Sequence, residues 1–136
     1  MSTDNHRTKK WLGAVALLGS ALLVLFWTLT FTDQIHRGED LVSAFESAFP
    51  VADTVLFFAL VLAGVGLFRD RAYGVFSLAG AAAMTLYLGL LDLTFYVGNS
   101  LLTLDPDGLF QGLVITCCLA GGTAGLRYSW KMWAER

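Results

Sequence analysis

The chain has 136 residues, of which 56% are hydrophobic and 15% are charged, and its formal net charge is −2 at pH 7. Such a composition is typical of an integral membrane protein rather than of a water-soluble domain. The few basic residues exclude a nucleic-acid-binding surface.

Four apolar runs, each about as long as a bilayer is thick, occupy most of the sequence. A hydrocarbon core of ~30 Å needs roughly 20 helical residues. The predicted transmembrane helices are residues 11–31, 50–68, 73–97 and 109–126. They leave two tails, 1–10 and 127–136, which are too short to fold alone. The sequence therefore predicts a single all-α membrane domain over 1–136, an up-down-up-down bundle of four transmembrane helices.

The segment between the first and second spans carries apolar residues at helical spacing. Leu41, Phe45, Ala48 and Phe49 recur in steps of three or four, with polar residues opposite them. This pattern predicts a short amphipathic helix on the outer membrane interface, after which Pro50 opens the second span. Two interpretations stay open: the helix is a lid over the bundle, or it is a plain connector.

The other connections are short. Residues 69–72, Arg-Asp-Arg-Ala, form so tight a link that the second and third spans must be antiparallel neighbours,. The Asp-Pro-Asp-Gly sequence at 105–108 predicts a turn before the fourth span, with Asp107 or Gly108 as the helix cap,.

Basic residues concentrate on one side of the predicted membrane. Of the nine Lys and Arg residues, only Arg37 falls in the segments opposite the tails. The positive-inside rule therefore predicts that both termini are cytoplasmic. The expected location is the plasma membrane of a prokaryote.

Small residues four apart predict close helix contacts within the membrane. The predicted pairs are Gly121/Gly125, Ala59/Ala63 and Ala79/Ala83. Cys117 and Cys118 are adjacent on one helix and point ~100° apart, so an ordinary disulfide between them is excluded. We interpret both as small packing residues. His6 and His36 lie outside the predicted spans, which excludes haem held by two histidines within the membrane.

Each predicted span contributes one polar residue at a similar depth. Thr28, Asp53, Asp92 and Gln111 all lie about seven residues, or ~10 Å, outward from the middle of their helices,. On the third span, steps of three and four place further polar residues on the face of Asp92. The sequence thus predicts a polar pocket in the outer third of the bilayer, formed by Asp92, Asp53, Gln111, Thr28, Tyr96, Asn99 and Thr85.

The two aspartates each have a structural alternative. Asp53 follows Pro50 by one turn and complements the positive end of its helix dipole. Asp92 costs free energy in lipid unless it is paired, hydrated or protonated. A hydrogen bond to Tyr96, Thr28 or Gln111 would satisfy it, and Arg37 could reach it only from the external segment.

Three functions are weighed against each other. The first is a non-enzymatic accessory subunit or a binder of a small ligand or lipid, because no catalytic motif is present. The second is a membrane enzyme acting on a lipid or isoprenoid with Asp92 and Asp53 as acid and base. The third is a small transporter, ranked last because the inner half of every span lacks carboxylates. The expected partners are membrane lipid and a protein or a second copy; no cofactor or metal is expected.

Overall fold

The structure, a computed structural model, describes residues 3–31 and 40–134. Within these residues it contains helices only, and their bounds are α1 Thr3–Phe31, α2 Asp40–Glu46, α3 Pro50–Phe68, α4 Ala72–Gly98 and α5 Pro106–Ala134. The four long helices, α1, α3, α4 and α5, are long and apolar enough to cross a membrane. The predicted all-α class with four membrane-length helices is confirmed, and the helices fit a four-helix bundle. Arg37 and His36 lie outside the described residues.

Two of the long helices extend well beyond the predicted spans. α3 has the predicted bounds and α4 differs from them by one residue at each end. However, α1 begins at Thr3 rather than at residue 11, and α5 ends at Ala134 rather than at residue 126. Hydropathy marks where apolar side chains stop, whereas a helix continues through polar residues because it satisfies their backbone groups.

The chain divides into two compact units, Met1–Ser77 and Leu78–Arg136. In the first unit α1 and α3 pack antiparallel, with glycines at the points of closest approach. A Cβ atom added to Gly64 would lie 2.6 Å from Cγ of Leu17, and one added to Gly13 would lie 3.2 Å from the carbonyl oxygen of Gly64. The two backbones therefore approach closely because these residues have no side chain.

In the second unit α4 and α5 also pack antiparallel. A Cβ atom added to Gly122 would lie 2.7 Å from the backbone nitrogen of Leu86, and one added to Gly125 would lie 2.7 Å from Cβ of Ala82. Small residues on α5 thus bring it onto the backbone of α4, which is how helices associate without a hydrophobic driving force.

The predicted small-residue pairs are correct only in part. Gly125 lies in the contact, but a Cβ atom added to Gly121 would meet nothing within 4 Å among the described residues. The prediction for Gly121 is wrong because it lies one residue, or ~100° of helix rotation, from Gly122. Ala63 is fully buried, whereas Ala83 is exposed.

The link between α3 and α4 is a Schellman motif. The Asp70 N–H donates to the Leu67 carbonyl at 3.2 Å, and the Arg71 N–H donates to the Gly66 carbonyl at 2.9 Å. Asp70 has φ 50°, the left-handed conformation that this motif requires,. Immediately after the link, Gly74 lies directly against the backbone of Gly66, and a Cβ atom on either residue would clash with the other.

The cap of α5 differs from the prediction. The helix begins at Pro106, and the Gly108 N–H donates to Oδ1 of Asp105 at 2.8 Å. Asp105 is therefore the N-cap, and the prediction of Asp107 or Gly108 is wrong. The reason is that Pro favours the first helical position, which leaves the preceding Asp to cap the helix.

The short helix α2 confirms a helical element between the first two spans. Its buried face differs from the predicted stripe, because Val42 is buried while Leu41 is exposed. The Phe45 ring packs edge-to-face against Phe49, with 4.8 Å between the ring centroids. α2 is thereby joined to the start of α3 through an aromatic contact.

Candidate functional site

Two polar side-chain contacts link α1 to the chain at either end of α3. At one end, Nε1 of Trp27 donates to Oδ2 of Asp53 at 2.9 Å. At the other end, Nζ of Lys9 donates to Oδ1 of Asp70 at 2.7 Å, and the lysine side chain is only 10% exposed. The α1–α3 pair is therefore held by a polar contact at each end.

These two contacts are separated by about one membrane thickness. Asp53 and Asp70 are 17 residues apart in the sequence, which is ~25 Å of helix at ~1.5 Å per residue. A hydrocarbon core is ~30 Å thick. Between the contacts, α1 meets α3 at residues that include Gly13, Leu17 and Gly64, and the hydroxyl of the buried Ser20 donates to the Leu17 carbonyl of its own helix. The polar groups thus flank an apolar stretch that matches the hydrocarbon core.

The Asp53 carboxylate is only partly satisfied within the described chain. Oδ2 accepts the indole hydrogen bond, whereas Oδ1 has no hydrogen-bond donor among the described residues. The ion pair formed within the described residues joins Lys9 to Asp70, so no Lys or Arg described here neutralises Asp53. One carboxylate oxygen therefore accepts a hydrogen bond, and the other has no donor among the described residues.

Aromatic residues neighbour Asp53 along α3, and two more lie at the α1 position that contacts it. Phe49 and Phe57 are one turn before and one turn after Asp53, so all three occupy one face of the α3 segment,. On α1, the ring of Phe26 meets that of Trp27 edge-to-face at 5.5 Å. Asp53 and these four rings are half-buried. The first unit thus presents a partly accessible acid among aromatic side chains.

The second unit contains most of the other predicted pocket residues. Tyr96 and Gln111 are 6% and 7% exposed, and Asp92 is half-buried. The contacts of Gly125 with Ala82 and of Gly122 with Leu86 define the register of α4 against α5. Continued outward in the same steps, this register places Tyr96 level with Gln111. Two of the predicted residues therefore lie at one depth in this hairpin.

Three of the predicted polar residues bond to their own helices. The hydroxyl of Thr28 donates to the Val24 carbonyl, and that of Thr85 donates to the Ala81 carbonyl, at 2.8 and 2.9 Å. The side-chain amide of Asn99 donates to the Phe95 carbonyl at 2.8 Å. Thr28 and Asn99 are exposed. Such bonds to the preceding turn satisfy a polar group in an apolar environment without a second helix.

Trp27 is not among the predicted polar residues, because tryptophan within an apolar run resembles an apolar residue. The prediction places Thr28, the next residue along α1, at this position. A tryptophan within an apolar helix carries one N–H group that needs an acceptor when it is buried. That requirement was the available signal. The predicted layer of polar residues from all four long helices includes residues of both units and stays a prediction.

Metal binding has no candidate in the part of the chain that the structure describes, where no three His, Cys, Asp or Glu side chains come together. Cys117 is exposed and Cys118 is half-buried, and neither forms a disulfide among the described residues. Comparison of the chain with protein-family models, with curated proteins and with solved structures found no match. Any assignment of function therefore depends on the geometry alone.

Proposed function

We propose that this protein is a non-enzymatic multi-pass membrane protein that binds a small amphiphile or lipid beside Asp53. The observation that carries the proposal is the hydrogen bond of 2.9 Å from the Trp27 indole to the Asp53 carboxylate. Ionisable groups within membrane-spanning helices are costly and commonly functional. Asp53 keeps one oxygen without a donor among the described residues, so the arrangement suits a ligand better than a closed structural bond.

The α1–α3 contact supports binding at this end rather than in the middle of the hairpin. Around Gly13 and Gly64 the two backbones are too close to admit a ligand. At the Asp53 end, large aromatic side chains replace the glycines, and they are half-buried. A lipid chain could lie beside the half-buried Phe57, one turn from Asp53 on the same face of α3, with its polar end at Asp53,.

The proposal is tested by native mass spectrometry of the protein purified in a mild detergent. We expect the wild-type protein to retain a lipid or small molecule, and Asp53→Asn to lose it. Asp107→Asn is the matched control, because Asp107 also lies in the first turn of a membrane-length helix. Equal retention by the wild-type and Asp53→Asn proteins would contradict the proposal, as would a wild-type protein that retains nothing.

A second candidate function, an accessory subunit, is favoured by the outer face of α5. Cys117, Ala120, Gly121 and Ala124 recur at helical spacing, and all are exposed. Small exposed residues in a membrane-spanning helix allow another helix to approach closely. We expect Gly121→Leu to release a stoichiometric second polypeptide, or a second copy, from the purified complex. An unchanged complex mass would remove the support for this candidate.

A further inference from the structure

We infer that the ligand of the Asp53 site carries a cationic ammonium head group, an inference that rests on the proposed function. The negative charge of the carboxylate attracts a cation. Among the described residues, the lysine in an ion pair is Lys9, and its partner is Asp70, at the opposite end of the α1–α3 pair. A cationic group on the ligand would offset the free-energy cost of an ionised carboxylate at this depth.

The aromatic side chains narrow the chemistry further. Trp27 contacts the carboxylate, and Phe49 and Phe57 flank Asp53 on its own face of α3. The faces of aromatic rings attract cations, and quaternary ammonium groups are recognised by aromatic side chains. A carboxylate with an aromatic residue one turn away on either side therefore favours an ammonium group over a sugar or a neutral head group, and it repels a phosphate or sulfate,.

The position of Asp53 along the α1–α3 pair suits an amphiphilic ligand. Asp53 is ~25 Å of helix from Asp70, so the two acids are separated by nearly the thickness of a hydrocarbon core. The Asp53 end then lies where the polar part of a lipid begins. An ammonium head group could reach the carboxylate there while its alkyl chain lay beside Phe57 on the same face of α3,.

A helix-dipole role for Asp53 gives a different expectation. Asp53 lies in the first turn of α3, where any carboxylate is favourable,. That role requires neither the Trp27 indole nor the flanking rings. Removing one aromatic ring would then leave ligand binding unchanged, and this difference separates the two explanations.

The test measures binding of three amphiphiles with the same alkyl chain to the protein in nanodiscs. The probes are tetradecyltrimethylammonium, tetradecyl glucoside and tetradecyl phosphate. We expect the ammonium probe to bind at least tenfold more tightly than the other two to the wild-type protein. Asp53→Asn should weaken its binding about tenfold and Phe57→Leu several-fold, while Asp107→Asn should leave it unchanged. Unfolding temperatures confirm that each variant is folded. If Asp53→Asn does not fold, Phe57→Leu still tests the inference.

The same ammonium group could belong to a free amphiphile or to a phosphatidylcholine lipid. If the lipid is the source, the probe should bind more weakly in phosphatidylcholine nanodiscs than in phosphatidylglycerol nanodiscs. The Asp53→Asn protein in the same discs corrects for attraction of the probe to the lipid surface.

The outcomes also separate this inference from the proposed function. Equal binding of the glucoside and ammonium probes, both weakened by Asp53→Asn, would overturn the ammonium assignment and leave the proposed binding site standing. Binding of no probe, with no lipid retained, would overturn both.

Discussion

At the residue scale, the two non-glycine residues with positive φ have the same structural role. Asp70 has φ 50° and Ser100 has φ 58°, and each lies just beyond the end of a helix. After α4, the Ser100 N–H donates to the Val97 carbonyl and the Leu101 N–H to the Tyr96 carbonyl, which repeats the Schellman pattern at Asp70,. Asp70 also binds Lys9, so its side chain compensates for the strained backbone. Ser100 is uncharged and cannot form such an ion pair,.

Replacement of Ser100 by glycine should therefore stabilise the protein. A left-handed conformation costs an L-residue ~1–2 kcal/mol, and glycine adopts it without that cost but loses more backbone entropy on folding. We expect Ser100→Gly to raise the free energy of unfolding by about 0.5–1 kcal/mol. Reversible unfolding in mixed micelles measures it.

The control is Ala83→Gly, at an exposed position within the same helix α4. There glycine should lower the free energy of unfolding by about 0.5–1 kcal/mol. A loss of stability in both variants would show that the conformation of Ser100 is not strained.

The N-cap of α5 should make the stability of the protein depend on pH. The Thr103 hydroxyl and the Gly108 N–H both donate to Oδ1 of Asp105, and they lower the pKa of this carboxyl from its ordinary value of 3.8. Because the pKa is lower in the folded state, the ionised carboxylate stabilises that state above the ordinary value. This contribution is lost as the pH falls through the lowered pKa.

Asp105→Asn separates charge from capping, because asparagine is also a good N-cap but does not titrate. We expect the unfolding temperature of this variant to fall less between about pH 5 and about pH 2 than that of the wild-type protein. Asp107→Asn removes a carboxyl from the same turn without touching the Thr103 and Gly108 contacts, and should keep the wild-type profile. An unchanged profile for Asp105→Asn would refute the assignment.

At the element scale, the sequence predicts which residues are small but not which of them meet. Gly121 and Gly122 are adjacent glycines in α5, and only Gly122 lies against α4. Both are glycines at nearly the same depth, so the four-residue spacing of small residues does not distinguish them, whereas Gly122 shares a helical stripe with Gln111,. The rotation of α5 about its axis determines which glycine contacts α4, and that rotation depends on the packing of the whole α4–α5 hairpin. For the same reason Trp27, rather than Thr28, reaches Asp53.

The two glycines should respond oppositely to the same substitution. Gly122→Ala places a methyl group 2.7 Å from the Leu86 backbone nitrogen, and such overpacking costs about 1–3 kcal/mol,. Gly121→Ala adds the methyl group in open space and gains helix propensity, by up to about 1 kcal/mol. Unfolding of both variants in mixed micelles gives the comparison. If Gly121→Ala is the more destabilising, then α5 meets α4 through a different face.

At the scale of the whole molecule, hydropathy predicted the number of long helices and the bounds of α3 correctly. It could not predict how far α1 and α5 continue, because basic residues such as Lys10 and Lys131 are compatible with a helix outside the hydrocarbon,. It also could not predict the contact of Lys9 with Asp70, since residues so far apart in sequence carry no local signal. In the sequence, Lys9 indicates only the orientation of the chain in the membrane.

The predicted orientation follows from the distribution of charge and is independent of that ion pair. Asp and Glu contribute little to the positive-inside rule, so Asp70 does not cancel Lys9 in the count. Eight of the nine basic residues belong to the tails and the α3–α4 link. Four crossings, an even number, bring both termini to the same side. We therefore predict that both termini are cytoplasmic and that the segment before α5 is external.

Cysteine labelling in intact cells tests this orientation. Cys117 and Cys118 are first replaced by alanine, and a single cysteine is then introduced at Leu104 or at Ala134, both exposed. A membrane-impermeant maleimide should label Leu104→Cys in intact cells, and Ala134→Cys only after the membrane is permeabilised. The reverse pattern would place the acidic turn before α5 in the cytoplasm. It would also show that charge bias does not orient this chain, because eight basic residues would then lie outside,.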